Sequence, residues 1–165
     1  MKNSDTLKVT PSGDREIVIT RLFDAPPGLV FDALTKPELI RRWLLGPGGW
    51  SMTVCTVDLR VGGAYRYVLR NDRNGTEMGW GGTYREIARP ERIVHTERFD
   101  QPVYPGESVI TTVLTEKGGK TIFTARLLFD SKTARDTVLS SGMVRGAAAI
   151  WDKLEQVLES QGQTA

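Results

Sequence analysis

The spacing of apolar positions changes along the chain, and each spacing predicts a different kind of element. Residues 15–23 alternate apolar and polar side chains, which predicts a first strand. The Asp-Ala-Pro-Pro segment at 24–27 ends that strand and is a suitable start for a helix. Helical spacing then predicts two short helices. The first carries Val30, Phe31 and Leu34, and the second carries Leu39, Ile40 and Trp43.

Between residues 50 and 129 the pattern returns to short alternating runs separated by glycine-, asparagine- and proline-containing turns. Short connections favour antiparallel neighbours, so these runs predict a meander of six further strands. They cover residues 50–60, 64–70, 80–88, 93–99, 108–115 and 121–129.

Residues 133–158 have apolar side chains at helical intervals and predict one long amphipathic helix, irregular near residues 140–142. The predicted fold is α+β: a curved, six- to seven-stranded antiparallel sheet wrapped around a long C-terminal helix, with two short helices after the first strand. We expect one domain over residues 15–160, flanked by flexible segments at 1–14 and 161–165. A curved sheet that does not close over a single helix leaves a pocket.

Composition narrows the possible functions. The 165 residues carry a net charge of +2, and the basic residues are scattered, which argues against nucleic-acid binding. The first residues are polar, and no apolar stretch is long enough for a membrane span. A single cysteine excludes an intrachain disulfide, so we expect a cytoplasmic protein.

The sequence offers little catalytic machinery. One histidine and one cysteine cannot form the usual zinc sites, and we expect neither a metal nor another cofactor. His95, Glu97 and Glu86 lie in predicted strands and are the candidate acids or bases, because a carboxyl group in a dry pocket can transfer protons. The alternative is that all three are hydrogen-bonded, ion-paired or solvated. The loop at 46–49 is a candidate lid.

Aromatic residues suggest a ligand pocket. Several share a parity on their predicted strands, and tyrosine and tryptophan combine an apolar body with a polar group. The same residues could instead simply form the core. Gly82 and Gly146 would either keep space open or allow close packing. The predicted pocket residues are Trp43, Trp50, Met52, Val54, Tyr65, Tyr67, Trp80, Tyr84, Phe99, Phe123, Met143 and Trp151.

Several motifs resemble one known family. They include Arg-Leu-Phe-Asp-Ala-Pro at 21–26, Lys-Pro-Glu at 36–38, Asp-Leu-Arg-Val-Gly-Gly at 58–63 and Pro-Glu-Arg-Ile at 90–93. With the spacing of Met143, Gly146 and Trp151, the chain resembles the activator of heat-shock-protein-90 ATPase homologue-like family over residues 15–158. This resemblance implies the helix-grip fold of START-related lipid-transfer domains and aromatic polyketide cyclases, without implying one function.

Three functions follow as alternatives. The topology, the aromatic set and the absence of catalytic motifs favour reversible binding of a small hydrophobic or aromatic molecule. The second is a cyclase- or hydrolase-like enzyme acting in the same pocket. The third is a protein-interaction module with a chaperone as partner, although the resemblance does not extend to the separate chaperone-binding domain of the eukaryotic co-chaperone.

Overall fold

One eight-stranded antiparallel sheet forms the framework of the protein. The structure is a computed structural model and describes residues 3–45, 48–102, 104 and 106–163. The strands are β1 Lys8–Ser12, β2 Glu16–Phe23, β3 Trp50–Val57, β4 Ala64–Asn71, β5 Glu77–Ala88, β6 Arg92–Phe99, β7 Ser108–Lys117 and β8 Lys120–Leu128. Their order across the sheet is β1-β2-β8-β7-β6-β5-β4-β3, which leaves β1 and β3 at the two edges.

The chain crosses from one end of the sheet to the other through two short helices, α1 Pro27–Thr35 and α2 Pro37–Trp43. Each begins with a proline, which the first turn of a helix accepts because its N–H has no partner there. Helix α1 packs against β7 and β8, and α2 packs against β3. The meander from β3 to β8 then returns the chain to β2.

The C-terminal region forms two helices rather than the single helix predicted from its spacing. Helix α3 spans Lys132–Ser141, and the side chain of Ser131 caps it by accepting a hydrogen bond from the Ala134 amide. Gly142, with φ of 83°, ends α3 in the left-handed conformation that favours glycine. The long helix α4, Met143–Gln163, follows and packs against α1 and α2.

The helices cover one face of the curled sheet, called here the concave face. Buried side chains alternate along β2 and β7, and the Phe123 ring on β8 lies 5.9 Å from the Trp151 ring on α4. Leu154 and Leu158 of α4 are almost completely buried. The core therefore lies between the concave face and the helices, as the predicted fold class requires.

The sheet has one more strand than predicted. The segment at 1–14, expected to be flexible, contains a 3-10 helix, Asn3–Thr6, and strand β1, which pairs with β2. Arg135 of α3 donates hydrogen bonds to the carbonyl oxygens of Gly13 and Glu16 and so connects this hairpin to the helices. The 15–160 domain boundary remains a prediction, but it leaves out a strand of the sheet.

Candidate functional site

Aromatic rings from three neighbouring strands form a continuous chain on the concave face. Phe99 lies 5.6 Å from Trp80, Trp80 lies 5.7 Å from Tyr67, and Tyr67 lies 5.1 Å from Tyr65. Tyr84 extends the chain at 5.5 Å from Tyr65. These centroid distances are typical of favourable tilted and edge-to-face contacts. The sequence prediction that these five residues lie near one another is therefore consistent with the register of β4, β5 and β6.

A β-bulge changes the predicted parity of β3. The register shifts between Met52 and Val54, so that Met52 pairs with Leu69 while Val54 pairs with Val68. Tyr67 and Leu69 lie on the concave face, which places Val54 on the outer face. The prediction that Val54 shares a face with Met52 is wrong, because the bulge contributes one extra residue and reverses the alternation beyond it.

A second bulge removes Glu86 from the set of candidate acids. The register of β5 against β6 shifts between Tyr84 and Glu86, and Glu86 pairs with Val94 on the outer face. Its side chain is 52% exposed and accepts a hydrogen bond from Arg92 at 2.9 Å. Glu86 therefore has the ion-paired surface role that the sequence left open as an alternative.

Glu97 is the carboxyl group that the fold places among the aromatic rings. It lies on β6 two residues from both His95 and Phe99 and pairs with the buried Ser108 of β7. Its charge contributes to raising the pKa values of Tyr65, Tyr67 and Tyr104, which locates the carboxyl group beside these tyrosines.

No hydrogen bond or ion pair to a described residue satisfies the Glu97 carboxyl group. The side chain is half-buried, and burial raises its pKa from 4.5 to about 7. Its oxygens are not among the fully enclosed unpaired atoms, so they keep some accessible surface. A desolvated carboxyl group without a partner is unusual in a purely structural core.

His95 lies next to Glu97 on the same face. Its ring is 5.3 Å from the Tyr65 ring and 6.3 Å from the Tyr84 ring. Burial lowers its pKa to about 4, so the imidazole is neutral near pH 7. Its Nδ1 atom is enclosed and has no hydrogen-bond partner in the described structure. The site thus combines a neutral histidine with a carboxyl group that titrates near neutrality.

The tyrosine hydroxyl groups complete the polar part of the site. Tyr65 donates a hydrogen bond of 2.6 Å to the carbonyl oxygen of Thr96. Burial raises the pKa of Tyr65 and Tyr67, and raises that of Tyr84 to about 12. Tyr67 and Tyr84 also each influence the pKa of the other. These phenols are therefore neutral hydrogen-bonding groups near pH 7.

The remaining predicted pocket residues divide by exposure. Trp43 and Phe123 are buried in the core, and the Trp43 indole donates to the carbonyl oxygen of Ala33 at 2.8 Å. The half-buried side chains keep accessible surface: Trp50, Met52, Phe99 and Trp151. The Met143 side chain and the Gly46 and Pro47 part of the predicted lid lie outside the described residues. A ligand pocket formed by these side chains stays a prediction.

The two glycines singled out in the sequence have different surroundings. A Cβ atom at Gly82 would overlap the carbonyl oxygen of Thr96, so glycine permits close approach of β5 and β6. A Cβ atom at Gly146 would meet nothing within 4 Å. Gly82 therefore allows close packing of the two strands and does not keep space open.

Cys55 and Tyr104 also lie near the aromatic chain, although no pattern in the sequence predicted this. The β3 bulge pairs Cys55 with Tyr67, and burial raises the pKa of its thiol. Tyr104 belongs to the loop before β7, where no periodicity indicates a side-chain direction, and its hydroxyl donates to Ser108 at 3.3 Å. Only the strand register determines the face on which Cys55 lies.

A shallow depression of about 400 Å³ lies over the glycines of β5, and Tyr65 and Phe99 are among the residues that line it. Arg66 and Arg98 border it and pair in register with Gly81, on the face opposite Tyr65. Arg66 is already paired with Asp100 at 2.5 Å. We assign the depression no role.

The described ranges contain no group of three or more histidine, cysteine, aspartate or glutamate side chains arranged to hold a metal ion. No helix in the described part of the chain is both long and apolar enough to cross a membrane.

The curled antiparallel sheet and the long C-terminal helix define a helix-grip protein. The family model described as activator of Hsp90 ATPase homolog 1-like protein matches residues 24–159. The chain therefore belongs to this family, as its sequence motifs predicted.

Solved structures of bacterial proteins share the fold. A Rhodobacter sphaeroides protein is 28% identical, with a TM-score of 0.86 over 93% of this chain and 99% of its own. A Staphylococcus epidermidis protein is 26% identical, with a TM-score of 0.78 over 92% of this chain and 93% of its own. A Nitrosomonas europaea protein with 24% identity and a TM-score of 0.79, over 93% of this chain and 99% of its own, shows likeness of fold alone. A comparison with curated proteins finds no match.

Proposed function

We propose that the protein binds a small hydrophobic molecule with an aromatic or polycyclic part on the concave face of the sheet. The aromatic chain from Tyr65 to Phe99 is a continuous row of rings, in which Tyr65, Tyr67 and Trp80 are nearly enclosed and Phe99 is half-buried. Trp50 and Met52 keep accessible surface on β3, the strand next to β4. Such a combination of aromatic walls with a few polar groups is typical of small-molecule sites.

The observation that carries the proposal is the Glu97 carboxyl group, which has no partner among the described residues. Removing a carboxyl group from water without giving it a hydrogen bond is costly, and a side chain with only a packing role is normally apolar. Glu97 keeps accessible oxygens beside aromatic rings. A bound molecule with a polar group would satisfy this carboxyl group and cover the rings at the same time.

The test is a titration with the uncharged probe N-phenylnaphthylamine, whose fluorescence increases in apolar surroundings. We expect saturable binding, weakened at least about fivefold in Phe99→Ala because that variant removes aromatic contact area. Val54→Ala is the matched control, since Val54 lies on the outer face, and it should bind within about twofold of the wild type. The absence of any saturable signal with the folded wild-type protein would overturn the proposal.

A second candidate is a proton-transferring enzyme of the cyclase or hydrolase type. The adjacent pair of His95 and Glu97 favours it, because burial moves their pKa values to about 4 and about 7 and so leaves a carboxyl group able to exchange protons near neutrality. Hydrolysis of nitrophenyl acetate is a first assay. Activity that survives in both Glu97→Gln and His95→Gln would exclude these two residues as the catalysts.

A cytoplasmic location and a chaperone partner stay predictions. The family description refers to activation of the Hsp90 ATPase, but no partner of this chain is identified. Both the small-molecule function and the enzyme candidate rest on side chains of the site, whereas the chaperone partner rests on the family description alone.

A further inference from the structure

The described structure places no positively charged side chain opposite Glu97. The titratable groups facing it from neighbouring elements are Tyr65 and Tyr67 of β4, Tyr84 of β5, His95 of β6 and Tyr104 of the loop before β7. None is a lysine or an arginine, and His95 is neutral near pH 7 because burial lowers its pKa. Among the described residues, an ionised Glu97 therefore has no positive neighbour to compensate it.

The buried Arg21 on the concave face does not serve this purpose. Arg21 lies on β2, three strands from β6 in the sheet order and thus about 14 Å away. It donates to the Asp152 carboxylate at 2.8 Å and stacks over the Phe23 ring at 4.6 Å. Arg21 is therefore already neutralised by α4 and is too distant to pair with Glu97.

The aromatic rings add to the attraction for a positive charge. The faces of phenol, indole and phenyl rings carry partial negative charge, and cations bind over them. Tyr65, Tyr67, Trp80 and Phe99 form the ring chain beside Glu97. A carboxylate together with several aromatic rings is a suitable environment for an organic ammonium group, and it repels an anion.

We propose that the ligand is a hydrophobic amine whose protonated nitrogen pairs with the Glu97 carboxylate while its apolar part lies on the rings of Tyr67, Trp80 and Phe99. This inference rests on the proposed function and adds the chemical class of the ligand. It selects a cationic amphiphile over a fatty acid or a neutral lipid, because neither of these supplies the missing positive charge.

The affinity for such an amine should change with pH in one direction. A protonated amine prefers the ionised form of Glu97, and the pKa of this carboxyl group is about 7 without ligand. Amine affinity should therefore rise with pH from about 6 to about 8, as long as the amine itself stays protonated. A neutral ligand of the same shape gains nothing from this ionisation.

Three probes of matched shape test the inference: naphthylethylamine, naphthylethanol and naphthylacetate. By calorimetric titration at about pH 8, we expect the amine to bind the wild type about tenfold more tightly than the alcohol and the acetate to bind most weakly. In Glu97→Gln the ratio of amine to alcohol affinity should fall to about one. Glu86→Gln is the matched control and should keep the wild-type ratio, since Glu86 is exposed on the outer face.

The wild type alone provides a second test that does not depend on any variant folding. Its amine-to-alcohol ratio should decrease towards one at about pH 6, where Glu97 is mainly protonated. Equal binding of amine and alcohol at both pH values would overturn the amine inference and leave the proposed function standing. Failure of all three probes to bind would contradict both.

Discussion

Replacing Glu97 by glutamine should stabilise the folded protein at alkaline pH and change it little at acid pH. Burial raises the pKa of this carboxyl group from 4.5 to about 7, so the folded state retains a proton that the unfolded state has already released. The stability contributed by Glu97 is therefore full below about pH 4.5 and is lost as the pH rises to about 7. Glutamine has nearly the same shape and does not titrate.

The magnitude follows from the two pKa values. Each pKa unit corresponds to about 1.4 kcal/mol, so the difference between 4.5 and about 7 gives an upper value of about 3 kcal/mol. The free energy of unfolding of Glu97→Gln, relative to the wild type, should rise by up to this amount between about pH 4.5 and about pH 8.

The contribution of His95 to stability should change with pH in the direction opposite to that of Glu97. Burial lowers its pKa from 6.5 to about 4, so its contribution to stability is full above about pH 6.5 and is lost as the pH falls to about 4. In the wild type the two contributions oppose each other between about pH 4.5 and 6.5. Stability over this window should be nearly flat in the wild type and should increase with pH in Glu97→Gln.

Urea unfolding followed by tryptophan fluorescence, repeated across this pH range, measures both effects. Glu86→Gln is the control, because an exposed ion pair contributes about 0–1 kcal/mol and its loss should not reproduce this pH dependence. A stability difference between Glu97→Gln and the wild type that stays constant from about pH 5 to about pH 8 would refute the desolvation of Glu97.

Two further predictions concern the framework of the site. Gly82→Ala should destabilise the protein by about 2 kcal/mol or more, because its methyl group would overlap a carbonyl oxygen of the next strand. Gly146→Ala should stabilise it by up to about 1 kcal/mol. Equal shifts of the melting temperature in the two variants would contradict the prediction. Asp152→Asn should lower the free energy of unfolding in urea by about 1–3 kcal/mol, because it weakens the partner of the buried Arg21. Asp58→Asn, in an exposed ion pair, should lower it by under about 0.5 kcal/mol. Similar losses in the two aspartate variants would show that burial of the arginine is unimportant.

Strand β1 illustrates why part of the fold was missed. Its sequence, Lys8–Ser12, includes a proline and lacks a clear apolar alternation. It forms because β2 offers a free edge for backbone hydrogen bonds, and such pairing needs little side-chain signal. Propensity alone therefore predicted a flexible segment.

Helix α4 illustrates the opposite case. Its apolar spacing over residues 143–158 predicted a long helix correctly, because one face of the helix packs in the core. The break at Gly142 was signalled only as an irregularity, since whether a glycine is accommodated in a helix or ends it depends on what the next turn packs against.

The sequence by itself determined the family, the α+β class, seven of the eight strands and the shared parity of His95, Glu97 and Phe99 on β6, because apolar periodicity and short turns are local properties. Tertiary structure alone decided that Val54 and Glu86 point outward and that Glu97 has no partner in the described part of the chain. Bulges depend on hydrogen bonding between strands distant in the chain, and one extra residue reverses every face beyond it. The desolvation of a carboxyl group likewise depends on the neighbours that the fold brings to it.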